Sequence, residues 1–160
     1  EIYGCDHPID LLDPKGLSNR IGTPVFHEHD DNRLHVEGVV LDPSHVDLHS
    51  FFEVIGGELT TTSLRLPTHD GSTFYRNGDL CLGIPGELQV FLYRVTYSES
   101  KPFVYTQVKL DDFENYILAP FNTVPPGDCI IIEFAPPKER TEHICETYRV
   151  ALAQGDLHGS

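Results

Sequence analysis

The sequence predicts a mainly β, α+β fold: an antiparallel β-sandwich or barrel-like sheet carrying one main helix at about residues 43–55. Three observations point there. Apolar residues alternate with polar ones in several segments from Val25 onward, "CIIIEF" is a strand-sized apolar run, and only "LDPSHVDLHSFFEVIGG" combines helical spacing with capping residues. The 160 residues show no repeat and no linker, so residues 1–160 read as one domain, long enough to bury a core.

Residues 1–24, rich in Pro, Gly and Asp, read as an irregular lead-in. "VFHEH" and "LHVEGVVL" then alternate around "DDNR", which predicts a β-hairpin. In the helical stretch Asp42 can cap, Pro43 suits the first position, and Gly56 suits a left-handed exit. Leu48, Phe51, Phe52 and Ile55 fall on one apolar stripe. "ELTTTSLRL" reads as a strand and "PTHDGSTFYRNGD" as a loop. "ELQVFLYRVTY" and "FVYTQVKL" form a second hairpin across "SESKP", with Leu88, Val90 and Leu92 on one face and Gln89, Phe91, Tyr93 and Val95 on the other. "DDFENYIL" is a helical turn or a strand, and "VPPGD" turns the chain into "CIIIEF", expected to be buried on both faces. "HICETYRVAL" alternates as a last strand, and residues 153–160 are expected to be a disordered tail.

Charge narrows the function. Twenty-five acidic against eleven basic side chains give a net charge of −14, which repels phosphate backbones and anionic lipid, so nucleic acid is excluded as an expected partner. No apolar run approaches a bilayer span, so direct membrane insertion is not expected. The chain starts without Met and without a signal-like segment, as a mature or trimmed form would. Cys5, Cys81, Cys129 and Cys145 lack C-x-x-C spacing, and two disulfides are the leading expectation over four buried thiols. Three connectivities are open; Cys5 with Cys145 and Cys81 with Cys129 is the favoured one.

"HEHDDNRLHVE" concentrates three of the nine histidines. Strand alternation puts His27 and His29 on one face of the first strand, with Phe26 and Glu28 on the other. His35 and Glu37 share a face of the return strand, opposite Leu34, Val36 and Val40. Pairing residues whose numbers sum to 62 or 64 brings His27, His29, His35 and Glu37 together and sets Phe26 beside Val36 on the core side. One register satisfies both the apolar and the histidine patterns. Imidazole nitrogens with one carboxylate suit a divalent transition metal, zinc ahead of copper, iron or manganese. His45 is separated from the hairpin only by "GVVLDPS" and joins the expected ligand set. His45 and His49 share a helix surface and are otherwise read as exposed; His7, His69 and His143 are read as ordinary surface or structural histidines. Against the whole set stands the plainer reading of solvated histidines on a sheet face.

No G-x-S-x-G elbow, glycine-rich phosphate loop, H-E-x-x-H helix or EF-hand spacing is present, so a nucleophile or nucleotide site has no signature. Glu28 points away from His27 and His29, which makes it a poor base for a metal held by them.

The His₃Glu set resembles the metal set of cupins, where H-x-H precedes a glutamate on the next strand. It departs in having a third histidine between, a longer spacing to Glu37 and no second cupin block. The run from "HEHDDNRLHVEG" through "HSFFEVIGGELT" to "VPPGDCIIIEF" resembles a loosely defined set of uncharacterised bacterial secreted or membrane-anchored proteins over roughly residues 25–134, although His49 stands where their pattern has glycine. That resemblance implies a compact β-rich extracytoplasmic domain and no particular activity. The expected function is therefore a secreted or cell-surface metal-binding domain with a mononuclear site on a hairpin, binding or structural ahead of catalytic. The alternatives are a metal-free interaction domain with a protein partner and a cupin-like metalloenzyme.

Overall fold

The computed structural model describes residues 1–15, 20–29, 31, 33–97, 99–100, 102–118 and 126–160. The turns expected at 30–33, 98–102 and 124–128 lie partly outside them. The strands are β1 (Ile2–Gly4), β2 (His7–Pro8), β3 (Ile21–Gly22), β4 (Phe26–Glu28), β5 (His35–Val36), β6 (Glu58–Leu59), β7 (Ser63–Thr68), β8 (Gly71–Arg76), β9 (Leu80–Cys81), β10 (Ile84–Pro85), β11 (Glu87–Thr96), β12 (Phe103–Leu110), β13 (Cys129–Ala135) and β14 (Leu157–Gly159). The helices are α1 (Leu48–Val54) and α2 (Glu146–Gln154). The β-rich α+β class is as expected, with two helices where one was predicted.

The main sheet has the order β14-β12-β11-β13-β1-β2. It is mixed: β11 pairs antiparallel with β12 and β13, while β1 runs parallel to β13 and β14 parallel to β12. Its two faces are both covered, which is why the isoleucines of "CIIIEF" are buried on both sides, with the buried Glu133 among them paired with Lys138 at 2.6 Å. Ile132, Leu88 and Val90 enter a core with Phe51, Phe52, Leu59, Leu64 and Leu66. Ile131, Phe91, Tyr93 and Val95 enter a second core with Tyr148 and Leu157. The predicted division of β11 between two faces is observed.

Several sequence expectations are corrected by tertiary contacts. The lead-in contains three strands, because β1 finds a partner in β13, some 130 residues away, that local pattern does not reveal. "HICETYRVAL" is not a strand. Ile144, Tyr148, Ala151 and Leu152 lie at helical spacing and pack in the second core, and Gly155 ends α2 at φ +74°. The tail is not disordered, since β14 adds to the sheet edge beside β12. "ELTTTSLRL" bends at Thr60, whose Oγ1 accepts from the Ser63 and Thr62 N–H groups, and splits into β6 and β7. The expected loop "PTHDGSTFYRNGD" forms β8, which pairs with β7 across His69 and Asp70.

The helix at 43–55 is two pieces, each with its own aspartate cap. Asp42 accepts from the Ser44 N–H to start a 3₁₀ turn at Pro43–His45, and Asp47 accepts from the Ser50 N–H to start α1. Gly56 exits at φ +85°, as predicted. "DDFENYIL" is a turn ending in a bridge from Ile117 to Asp47.

Two disulfides form, with a connectivity other than the favoured one. Cys5 joins Cys81 and Cys129 joins Cys145. The Cys5 N–H donates to the Phe134 carbonyl, and the disulfide-bonded Sγ of Cys81, which carries no proton, packs 3.5 Å from the same oxygen. Cys145 stands at the start of α2, directly against the start of β13.

Candidate metal centre

The histidine block sits on a small separate sheet, β3-β4-β5. Phe26 pairs with Val36 and His27 with His35, so the residue numbers sum to 62, one of the two registers the sequence pattern allowed. Phe26 goes into the core, edge-on to Phe51 with centroids 6.0 Å apart, and Val36 packs with it. The opposite face therefore carries His27 and His35 side by side.

A third strand, not foreseen from sequence, completes the site. β3 pairs Gly22 with His27, and the chain turns back through Thr23, Pro24 and Val25. Thr23 Oγ1 accepts from the Phe26 N–H at 3.0 Å, and the Thr23 N–H donates to Phe26 O. Gly22 has φ +121°, and a Cβ there would lie 2.3 Å from Phe26 O. Only glycine allows this close approach. The small "IGTP" turn is the sequence signal that was available for it.

With β3 on one side and the other rings around it, His27 is fully buried, whereas an exposed sheet face was expected. The three rings are mutual neighbours. Centroids are 4.6 Å apart for His27 and His29, 4.7 Å for His29 and His35, and 5.5 Å for His27 and His35, whose planes are parallel within 4°. One ligand-type atom from each lies within 4.8 Å of the other two. Ligands about 2.1 Å from a tetrahedral ion stand about 3.4 Å apart, so side-chain rotations of an ångström or so would close the set.

Hydrogen bonds fix which nitrogens face the centre. The Nδ1–H of His27 donates to the Thr23 carbonyl at 2.9 Å, because a carbonyl can only accept. Its Nε2 is buried and has no hydrogen-bond partner. The Nε2–H of His35 donates to both oxygens of Asp31, at 2.9 and 3.2 Å, leaving Nδ1 as its lone pair. Carboxylate and carbonyl partners of this kind orient metal-binding imidazoles. Glu37 reaches between them, with Oε2 3.6 Å from His27 Nε2 and Oε1 4.0 Å from His35 Nδ1. The Glu37 N–H donates to the Val25 carbonyl at 2.9 Å, which extends the β4–β5 pairing and places residue 37 beside the two rings.

Of the predicted set, His27, His29 and His35 are brought together, and the exposed Glu37 stands at their edge, near His27 and His35. His45 is not brought to it: its ring lies on the 3₁₀ turn, 81% exposed, 3.6 Å from Asp42. The nearest bond of His49 is also elsewhere, from Nδ1 to the Leu59 carbonyl at 2.6 Å, with Glu53 at 3.5 Å. Glu28 lies on the side away from the three rings, as predicted, and is buried there. Asp31 was seen in the sequence only as an acidic neighbour, and its contact with His35 depends on the loop conformation. No protein family, curated protein or solved structure matches the chain.

Proposed function

We propose that the chain is an extracytoplasmic metal-binding domain that holds one divalent transition ion at His27, His29, His35 and Glu37. Zinc is the expected ion ahead of copper, iron or manganese, in a binding or structural role. One observation carries the reading. The buried Nε2 of His27 has its lone pair without a donor, and a carboxylate oxygen of the exposed Glu37 stands 3.6 Å away. A buried ring nitrogen left without a hydrogen bond is unfavourable, and a cation held between it and the Glu37 carboxylate would satisfy it. Three imidazoles and one carboxylate supply the donor types and the charge compensation that zinc uses.

Two disulfides favour an oxidising compartment, and among the described residues no helix is long and apolar enough to cross a membrane. Secretion or surface display is the setting that suits both.

The test is elemental analysis and zinc titration of untagged protein purified without chelator. One ion per chain is expected, and saturation should raise Tm by about 5–10 °C, reversed by chelator. His35→Ala should weaken zinc binding by about 100-fold, while His45→Ala leaves it unchanged. If His27→Gln and His35→Ala both keep wild-type metal content, or if chelator leaves Tm unmoved, a metal-free interaction domain replaces this reading.

A further inference from the structure

The groups proposed to hold the ion are not held alike by the protein. His27 donates through Nδ1–H to the Thr23 carbonyl and His35 through Nε2–H to Asp31, so each ring is fixed from behind and turns its other nitrogen inward. The Glu37 carboxylate lacks such support. Among the described residues it makes no hydrogen bond, and it stands 3.6 Å from His27 Nε2 and 4.0 Å from His35 Nδ1. Burial divides the groups in the same way: the His27 side chain is fully buried and that of His35 is 23% exposed, whereas that of Glu37 is 60% exposed. Glu37 follows the last residue of β5, and the chain leaves the sheet through Gly38, at φ +81°, into the exposed Val39. Imidazoles therefore wall the protein side of the centre, and the carboxylate side faces solvent.

A ligand holds an ion more firmly when its neighbours already fix it, because an unsupported side chain loses rotamer freedom on coordination. Glu37 carries that cost, and water on its own side competes for its carboxylate. His27, His29 and His35 do not need it to stay together. Three neutral imidazoles leave both charges of a divalent ion uncompensated, so whatever replaces Glu37 is favoured when it is an anion. A chain of net charge −14 repels a large polyanion, which leaves a small anion as the fitting partner.

Resting on the metal reading above, we propose that Glu37 is an exchangeable fourth ligand and that the centre takes a small carboxylate from solution in its place. The 3.6 Å from Glu37 Oε2 to His27 Nε2 is close to the ~3.4 Å between ligands of a tetrahedral ion, so the carboxylate stands near a coordination position. Rotation of the exposed side chain outward vacates that position without moving a histidine. The incoming carboxylate replaces the outgoing one like for like, in donor atom and in charge. A set of three protein ligands with one replaceable position is the arrangement of zinc centres that bind or act on external molecules, and closed four-ligand sets are that of purely structural ones.

Cobalt(II) in place of zinc gives the readout, because its visible absorption changes with the ligands around it. Sodium azide should shift the spectrum of the cobalt-loaded protein saturably, with one cobalt still bound per chain, and sodium acetate should displace the azide. Glu37→Gln should lower cobalt affinity by less than about tenfold, against about 100-fold for His35→Ala, and should bind azide about threefold more tightly because no carboxylate competes. Glu37 is exposed, so circular dichroism and metal-free Tm of the variant should match wild type. A spectrum unmoved by azide at about 100 mM overturns the proposal, as does release of the cobalt by azide or failure of acetate to displace it. Loss of the ion in Glu37→Gln as complete as in His35→Ala overturns it too. A wild-type chain that takes up neither cobalt nor zinc overturns the metal reading and this proposal with it, whereas a bound ion deaf to azide overturns this proposal alone.

Discussion

The Nδ1 of His27 lies 2.9 Å from the carbonyl oxygen of Thr23, four residues earlier, and this one hydrogen bond decides the tautomer of a fully buried imidazole. The bond exists because β3 folds back on β4 at Gly22. A hairpin of β4 and β5 alone would leave the ring open to water and free to turn. The turn at Thr23 therefore makes a histidine of a surface-type motif into a fixed donor.

Gly22→Ala should disrupt this arrangement. A Cβ at that position would meet Phe26 O at 2.3 Å with the backbone already at φ +121°, so β3 must move away from His27. A stability loss of about 2–3 kcal/mol is expected, together with weaker zinc binding, by denaturant titration and calorimetry. Unchanged values for both would show that β3 does not hold the ring.

Asp31→Asn should separate orientation from ligation. Asp31 touches no other ring of the centre in the described contacts, but it holds His35 through Nε2, which presents Nδ1 inward. Zinc affinity is expected to fall about 10–100-fold, with the metal-free Tm close to wild type because the carboxylate is partly exposed. Asp31→Glu should restore part of the affinity. An equal loss of metal-free stability in both variants would point to a merely structural role.

Leu82→Asn should stabilise the protein. Leu82 and Gly83 form a two-residue turn between the paired Cys81 and Ile84, with φ of +52° and +87°. A left-handed backbone costs a leucine about 1 kcal/mol, which asparagine largely avoids. The side chain is 84% exposed, so little packing is lost. Chemical denaturation should show a gain of about 1 kcal/mol, and a loss would mean that Leu82 makes contacts of its own.

His49 should contribute stability that depends on pH. Its pKa is raised, chiefly by the hydrogen bond to the Leu59 carbonyl, against which burial acts, with Glu53, Asp47 and Glu114 adding attraction for the charged ring. A folded-state pKa above the unfolded value favours the protonated folded form. The contribution is fully present below the unfolded value of about 6.5 and is lost as pH rises through the folded value. Comparing wild type with His49→Gln, the wild-type advantage should be largest near pH 5.5 and shrink toward pH 8. A difference independent of pH would sink this account.

The sequence by itself determined the parts of this protein that short-range periodicity controls. Phe26 and Val36 on one face and His27 and His35 on the other follow from a two-residue repeat, and burial of the apolar face narrows the register to sums of 62 or 64, of which the fold takes 62. The same holds for Leu48, Phe51 and Phe52 on α1 and for the two buried faces of β11. Two disulfides were legible in four widely spaced cysteines.

Tertiary structure decided what depends on partners distant in the chain. Ile2–Gly4 is a strand because β13 offers it an edge, Leu157–Gly159 because β12 does, and Glu146–Gln154 is a helix because Tyr148 and Leu152 meet a waiting core. Cysteine pairing followed the approach of Cys5 and Cys81 over Phe134, which spacing does not encode. At the centre, the ligand types were readable, but the burial of His27, the role of Asp31 and the separation of His45 were not. Each depends on how a loop returns in space, and hydrogen bonds made across such a return leave no period in the sequence.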